Sequence, residues 1–324
     1  MMSKLTVIMP VFNGAEFLKD TIESILSQSF EDFKFIIIDD GSIDETPNLL
    51  NEYVKIDNRI KVLRNNENKK IVYSLNRGLK ETKTNIIVRM DCGDISEKTR
   101  FEEQYNYLIS NNDVVLVATQ CDFISYSGEI LSKSCFPCDD YNIRKELFLK
   151  NNIIMHPSVM FRWNGNLYYR EFAYPAEDYD LWLRLASLGR IVILNEHLIN
   201  IKLDPQGITF STRIQQMEIV NTINRLLIER IKSNGEISLL PIGYKKKKTT
   251  RIGERIFEDL FRKITSQIII YRKKSLQWLF FVILNYLLYP KMSCEKIRYY
   301  ICKIFIKKNP IFLRFLKYRE YFHE

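Results

Sequence analysis

Three pairs of acidic residues stand where carboxylates could do chemistry. Each pair follows an apolar run or opens a helical pattern, and the pairs are Asp39 with Asp40, Asp91 with Asp94, and Glu177 with Asp178. A carboxylate can accept hydrogen bonds from nucleoside imide and hydroxyl groups, bind a hard divalent cation, or accept a proton as a general base. The positions of the pairs indicate a different task for each.

The first pair follows an apolar run at residues 33–38, which is rich in β-branched residues and typical of a strand buried on both faces. Two adjacent carboxylates repel each other there, so we expect a ligand or solvent to offset the repulsion. Ser42 and Glu45 have the spacing of a capping box and predict the start of a helix. Capping alone is the alternative explanation for part of this segment.

The second pair follows another apolar strand, residues 86–88, where carboxylates suit a divalent cation that bridges a diphosphate. A solvated turn is the alternative. The third pair lies at the N-terminal end of an apolar helical stripe, where the helix dipole alone can stabilise acids or one of them can act as a general base. His156 precedes the strand-like residues 159–161, and both a structural and a functional role stay open for it.

The elements that must position these side chains alternate along the chain. Short apolar runs near residues 5–9, 33–38, 61–63 and 86–88 are separated by amphipathic helical patterns. This alternation predicts an α/β fold with a mostly parallel central sheet flanked by helices. Ligands of such sheets bind beyond the carboxyl ends of the strands, which is where the first two acidic pairs lie.

Charge is unevenly distributed along the sequence. The chain has 324 residues and a formal net charge of +9, yet residues 243–324 hold 20 Lys and Arg against 6 Asp and Glu, so residues 1–242 are slightly acidic. We therefore expect three parts: an α/β domain at 1–205, a helical connection at 206–242 and a basic amphipathic helical tail at 243–324. Such a split indicates a polyanionic surface as partner.

The tail combines apolar stripes with basic margins and aromatic residues, which is typical of helices on an anionic membrane surface. A helical bundle with solvated basic residues is the alternative, and nucleic acid fits less well because the apolar stripes exceed what phosphate contact needs. The first apolar run, residues 5–12, is too short for a signal peptide or a membrane span. We expect a cytoplasmic protein, peripheral on the inner face of the cell membrane, with no nucleic-acid partner.

Five segments in a fixed order resemble the family 2 glycosyltransferases. They are VIMPVFNG, FKFIIIDDGSIDET, RMDCGD, HPSVMF and AEDYDLWLRL, and the resemblance covers residues 4–200. It implies the GT-A fold for the first domain, a nucleotide-sugar donor (usually a UDP-sugar), a divalent metal such as Mn²⁺ or Mg²⁺, and transfer with inversion at the anomeric carbon. The implied acceptor is a saccharide or a lipid-linked saccharide of surface polysaccharide synthesis.

The resemblance also assigns roles to residues. The donor-binding set is Pro10, Val11, Asn13, Asp39, Asp40, Asp91 and His156; the catalytic set is Asp178 as base with Glu177; the metal ligands are Asp91 and Asp94. One departure weakens the metal prediction, because Gly93 stands where the family usually has a second metal-binding carboxylate. The competing hypothesis is therefore a non-catalytic nucleotide-binding or scaffold protein that kept the fold and lost the metal motif.

Overall fold

The computed structural model describes residues 3–148, 151–203 and 212–232. Within those residues nine strands form one sheet. The strands are β1 Leu5–Val11, β2 Phe33–Asp39, β3 Ile60–Arg64, β4 Ile86–Arg89, β5 Ile95–Ser96, β6 Val114–Ile124, β7 Ile130–Lys133, β8 Met160–Arg162 and β9 Arg190–Lys202.

Seven α-helices accompany the sheet in the same described part of the chain. They are α1 Ala15–Leu26, α2 Thr46–Ile56, α3 Ile71–Glu81, α4 Arg100–Ser110, α5 Asp140–Phe148, α6 Glu177–Ala186 and α7 Arg213–Lys232. Short 3₁₀ turns at His156–Ser158 and Glu171–Ala173 precede β8 and α6. The predicted α/β class is confirmed.

The sheet has a parallel half and a mixed half. Its strand order is β3-β2-β1-β4-β8-β6-β9-β5, with β7 paired to β6. The first four strands of that order are parallel, as the alternation of strands and helices predicts. Beyond β4 the pairing is mixed, because β8 runs antiparallel to both β4 and β6 while β9 runs parallel to β6.

The sequence explains why the parallel half forms. β2 carries an unbroken run of buried apolar side chains from Phe35 to Ile38, and such runs suit strands that helices cover on both faces. On α1 the side chains of Leu18, Ile22 and Ile25 recur at helical spacing and are completely buried. Full burial of each such side chain contributes about 1.5–3 kcal/mol to folding, so this packing stabilises the parallel half of the sheet.

The capping box predicted at Ser42 and Glu45 was wrong. Helix α2 begins at Thr46 without a side-chain cap from its N-cap residue. The Ser42 hydroxyl instead accepts a hydrogen bond from the backbone N–H of Asn13, 2.9 Å away, and Asp44 Oδ1 accepts one from the Thr46 N–H at 3.0 Å. The loop after β2 is therefore tied to the loop after β1 through Ser42 and to the first residue of its own helix through Asp44.

Fewer predictions can be compared with the structure beyond residue 203. Among the described residues no helix is long and apolar enough to cross a membrane. Helix α7 falls inside the predicted connection at 206–242, while the tail at 243–324 lies outside the described residues. The three domain boundaries therefore stay predictions.

Candidate active site

The first acidic pair, Asp39 and Asp40, lies at the carboxyl end of β2 and is buried. Asp39 Oδ1 accepts a hydrogen bond from the Ser42 N–H at 2.9 Å, and its Oδ2 lies 3.4 Å from Arg64 Nε. The protein itself therefore supplies a donor and a positive charge to this carboxylate. Our expectation that a ligand or solvent must offset the repulsion overlooked these internal partners.

The neighbouring carboxylate of Asp40 is held in the same way. Its Oδ1 accepts hydrogen bonds from Asn65 Nδ2 at 2.6 Å and from the Lys69 N–H at 2.9 Å. Asn65 Nδ2 also donates to the hydroxyl of Ser74 on α3, at 2.8 Å. These contacts fix one oxygen of Asp40, and the carboxylate keeps further acceptor positions, since each carboxylate offers about four.

The loop after β1 completes this side of the site. Asn13 has a φ of +49°, and its Oδ1 accepts a hydrogen bond from the Ile43 N–H at 2.9 Å. The Asp40 N–H donates to the Val11 carbonyl at 2.8 Å, while Pro10 pairs with Ile38 in the parallel ladder. The predicted donor-binding residues of β1 and β2 therefore form one hydrogen-bonded platform.

The second acidic pair follows β4, and its two members have different surroundings. Asp91 is 36% exposed, and its Oδ1 lies 2.6 Å from Arg89 Nη2. Asp94 is 5% exposed, and its Oδ1 accepts a hydrogen bond from the Lys202 N–H at 2.9 Å. Burial, together with the charge of Asp91, raises the pKa of Asp94 well above its usual value. Asp91 is thus the accessible member of the pair.

Of the two predicted metal ligands, only Asp91 suits a divalent cation. No group of three or more His, Cys, Asp or Glu side chains in the described ranges is arranged to hold a metal ion. Asp91 nevertheless offers a partly exposed carboxylate, and Mg²⁺-type sites use one or two carboxylates together with phosphate oxygens and water. Asp91 therefore suits a cation that arrives with a diphosphate, whereas Asp94 is buried and already bonded.

The third acidic pair opens α6. Glu177 is 6% exposed, and burial, followed by the charge of Asp178, raises its pKa to about 8. Asp178 is partly exposed. Its Oδ2 accepts a hydrogen bond from Asn152 Nδ2 at 2.7 Å, and its Oδ1 accepts one from the Tyr179 N–H at 2.7 Å.

Burial raises the pKa of Asp178 to about 6, and the two hydrogen bonds to it oppose that effect. A carboxylate with this pKa is largely ionised near neutral pH and holds a proton better than an ordinary aspartate does. Glu177, with the higher pKa and the deeper position, is mostly protonated under the same conditions. Asp178 is therefore the member of the pair that can accept a proton from a bound molecule.

His156 packs against Trp182, a residue of the same helix α6 that the third acidic pair opens. Its Nε2 is 2.9 Å from the Tyr169 hydroxyl, and its ring centroid is 5.7 Å from that of Trp182 in an edge-on arrangement. Burial, followed by the nearby charge of Arg89, lowers the pKa of His156 well below its usual value. A neutral histidine in an aromatic cluster fits a structural role better than the donor contact predicted for it.

The predicted residues converge around the carboxyl ends of β1, β2 and β4. The loop after β1 contacts the β4 motif, that is, residues 91–94 after β4. Cys92 Sγ lies 3.7 Å from the Gly14 carbonyl oxygen. The β4 motif in turn adjoins α6, since the charges of Arg89 and Asp91 both act on Glu177. The loop after β1 is therefore in contact with the residues after β4, and an electrostatic interaction links those residues to the third acidic pair.

Sequence reasoning missed three residues of this site, namely Asn65, Arg89 and Asn152. The two asparagines lie in loops with no motif, so nothing in the sequence singled them out. Arg89 gave a signal, because it is a charged residue that ends an apolar strand two positions before Asp91. A buried charge of that kind requires a partner.

Comparison with known proteins identifies the family. The sequence model of Glycosyl transferase family 2 matches residues 6–174, more than half of the chain. The O-antigen biosynthesis glycosyltransferase WbnJ of Escherichia coli is 33% identical over 186 residues, which cover 56% of this chain and 72% of WbnJ.

Two solved structures share the fold. The Staphylococcus aureus TarS fragment in complex with UDP has a TM-score of 0.53 at 18% identity, over 68% of this chain and 65% of that one. A mannosyltransferase from Pyrobaculum calidifontis, solved with GDP-Man and Mn²⁺, has a TM-score of 0.54 at 12% identity, over 95% of this chain and 87% of that one. The fold is GT-A, and the chain belongs to glycosyl transferase family 2 and is a glycosyltransferase.

Proposed function

We propose that this glycosyltransferase moves a sugar from a nucleotide-sugar donor, a UDP-sugar, to a hydroxyl group of a saccharide or lipid-linked saccharide, with inversion at the anomeric carbon. The observation that carries the proposal is the placement of Asp178. This partly exposed carboxylate has a pKa of about 6 and shares one charged cluster with Asp91 at the strand ends. A base there can meet a donor whose diphosphate lies against the β4 motif.

The nucleoside would lie on the platform formed by the loops after β1 and β2. The free oxygen of Asp40 suits the imide N–H of uracil or a ribose hydroxyl, because an ionised carboxylate accepts hydrogen bonds and donates none. The internal hydrogen bonds of Asp40 support this role, since they hold its carboxylate before a ligand arrives. Preorganisation of this kind lowers the cost of binding.

Asp178 would act as the general base. As the acceptor hydroxyl attacks the anomeric carbon from the face opposite the nucleotide, its proton passes to the Asp178 carboxylate, and the bond from the sugar to the diphosphate breaks. Asn152 holds the carboxylate in place through its 2.7 Å hydrogen bond. Holding base and substrate in line supplies much of the acceleration that such enzymes achieve.

A divalent cation would be held by Asp91 together with oxygens of the diphosphate. When bound, it would neutralise the negative charge that develops on the leaving group. Asp91 meets the requirement for exposure, and its pairing with Arg89 keeps it fixed. We expect weaker metal dependence than two free carboxylates would give, because Asp94 is committed to the Lys202 N–H.

The acceptor class and the location of the protein are proposed on other grounds. WbnJ is named for O-antigen biosynthesis, which supports surface polysaccharide synthesis here too. The basic composition of residues 243–324 supports attachment to an anionic membrane surface that carries a lipid-linked acceptor.

A panel of nucleotide sugars tests the proposal. The full-length protein is incubated with each donor and with Mn²⁺ or Mg²⁺ or neither, and nucleotide release and donor binding are measured. We expect release from at least one UDP-sugar, and loss of release in Asp178→Asn with donor binding retained. Binding without release from any donor would favour the non-catalytic alternative, and the absence of both would refute a nucleotide-sugar site.

A further inference from the structure

Arg89 has an unusual position for an arginine. It is the last residue of β4, its side chain is 1% exposed, and its Nη2 lies 2.6 Å from Asp91 Oδ1. Among the described residues none of its Nε, Nη1 and Nη2 atoms makes a hydrogen bond of good geometry, so the contact with Asp91 is an ion pair. A buried guanidinium normally uses its N–H groups fully, so this arginine is retained at a cost to stability that requires an explanation.

The surroundings of Arg89 supply one. The charge of Arg89 acts on the carboxyls of Glu177 and Asp178 as well as on Asp91. Glu177 Oε2 is itself buried and lacks a hydrogen-bond partner in the described part of the chain. The guanidinium group of Arg89 thus contacts Asp91, and its charge also acts on the two acidic residues that open α6.

Other groups near the acids cannot replace this charge. Asn152, Tyr169 and the Tyr179 N–H face the cluster as neutral groups, and His156 is neutral because burial lowers its pKa. Arg100, the other buried arginine beside β4, donates to the Arg89 carbonyl and to Gln104, and its charge acts on Asp94. Arg89 is therefore the cation through which the second and third acidic pairs are joined.

We propose that Arg89 is a positioning residue of the transfer reaction: its guanidinium holds the Asp91 carboxylate in place and links it to the acidic residues that open α6. The inference rests on the proposed function and deepens it. An opposite charge within a few ångströms favours the ionised form of a carboxyl group. Without that charge we expect Asp178 to hold its proton more tightly, so that less of the base is ionised at neutral pH.

The first test compares Arg89→Gln with Arg89→Lys in the full-length protein. The pH dependence of kcat is measured with a donor found active in the panel. For Arg89→Gln we expect kcat at pH 7 to fall at least tenfold and the acidic midpoint to rise by about one pH unit or more, so that activity recovers at high pH. Arg89→Lys keeps the charge, and its midpoint is expected to stay near that of the wild type.

A matched control removes a different buried arginine. Arg184 on α6 is 8% exposed and donates to Asp180 Oδ2 at 3.0 Å, so Arg184→Gln should lower stability without moving the acidic midpoint. If Arg89→Gln folds poorly, Arg89→Lys carries the test, because it keeps the positive charge. A midpoint that rises by about one pH unit in Arg89→Lys would contradict charge balance as the role of Arg89.

The second test does not require activity. An acid whose pKa is higher in the folded than in the unfolded state stabilises the fold at low pH, and that contribution is lost as pH rises toward the folded pKa. The melting temperature of Arg89→Gln should therefore drop more between pH 5 and pH 8 than that of the wild type or Arg184→Gln. Equal drops in all three, or an unchanged midpoint of kcat, would overturn the inference, whereas a wild type without transfer would refute the proposed function alone.

Discussion

The acidic residues on the two sides of the site differ in their hydrogen-bond partners. On the nucleoside side, Asp39 and Asp40 are buried, yet Asp39 accepts a backbone hydrogen bond and faces Arg64, and Asp40 accepts from Asn65 and Lys69. On the side of the transfer chemistry, the acids of β4 and α6 share Arg89, and buried polar atoms lack hydrogen-bond partners among the described residues. The first side has its carboxylates hydrogen-bonded, whereas on the second side the guanidinium of Arg89 and Oε2 of Glu177 lack hydrogen bonds among the described residues.

This difference separates binding from reaction. Satisfied acids hold a fixed geometry and suit recognition of a nucleoside, because little has to move when the ligand arrives. Burial raises the pKa values of the acids that open α6, to about 8 for Glu177 and about 6 for Asp178, and such values are typical of groups that exchange protons with a substrate. Variants on the nucleoside side should therefore lose donor affinity, and variants on the other side should lose kcat.

The largest effect is expected for Asp178→Asn. An amide of similar shape cannot accept the acceptor proton, so kcat should fall by about 10²–10⁴-fold. Donor affinity, measured by calorimetry, should stay within a few-fold because the nucleoside side is unchanged. Comparable losses of kcat and of donor affinity would show that the two sides are not separate.

A smaller effect of the opposite kind is expected for Asp40→Ala. The change removes the proposed contact to the nucleoside and leaves Asn65 without one acceptor, so affinity for UDP should fall about tenfold or more. The acidic midpoint of kcat should not move, since the contacts of Asp40 are with Asn65 and Lys69 rather than with Asp178. An unchanged affinity for UDP would place the nucleoside elsewhere.

Asn152→Ala tests whether the hydrogen bond from Asn152 helps to keep Asp178 ionised. The side chain of Asn152 donates to Asp178 Oδ2, and that hydrogen bond favours the ionised carboxylate. Wild-type kcat should rise with pH through a midpoint near 6, because the base must be ionised, and the midpoint of the variant should lie higher. A pH–rate profile of both proteins checks this, and a wild-type midpoint near 4 would contradict a buried base.

The smallest effect is expected for Gly93→Ala, with Gly93→Asp as its companion. Gly93 has a φ of +109°, and a β-carbon there would meet only the Phe17 side chain, at 4.0 Å. The strain of that φ should cost about 1–2 kcal/mol of unfolding free energy in both variants. If Gly93→Asp also strengthens Mn²⁺-dependent binding of UDP beyond Gly93→Ala, the added carboxylate reaches the cation; equal binding in both would show that Asp91 serves alone.

The sequence was sufficient for the fold and for the order of the motifs, because buried parallel strands and amphipathic helices leave strong periodic patterns. It was not sufficient for side-chain partners. The spacing of Ser42 and Glu45 predicts a local cap, yet the Ser42 hydroxyl bonds Asn13 from a different loop. The metal motif assigns equal roles to Asp91 and Asp94, yet the end of β9 buries Asp94. Such contacts join residues far apart in the chain, and no local pattern encodes them.

The most direct measurement is a crystal structure of Asp178→Asn with a UDP-sugar that the panel identifies as a donor. We expect the nucleobase against Asp40, the diphosphate beside Asp91, and the anomeric carbon facing residue 178 with room between them for an acceptor hydroxyl. A nucleotide bound on another surface, or an anomeric carbon turned away from residue 178, would contradict the assignment of Asp178 as the base.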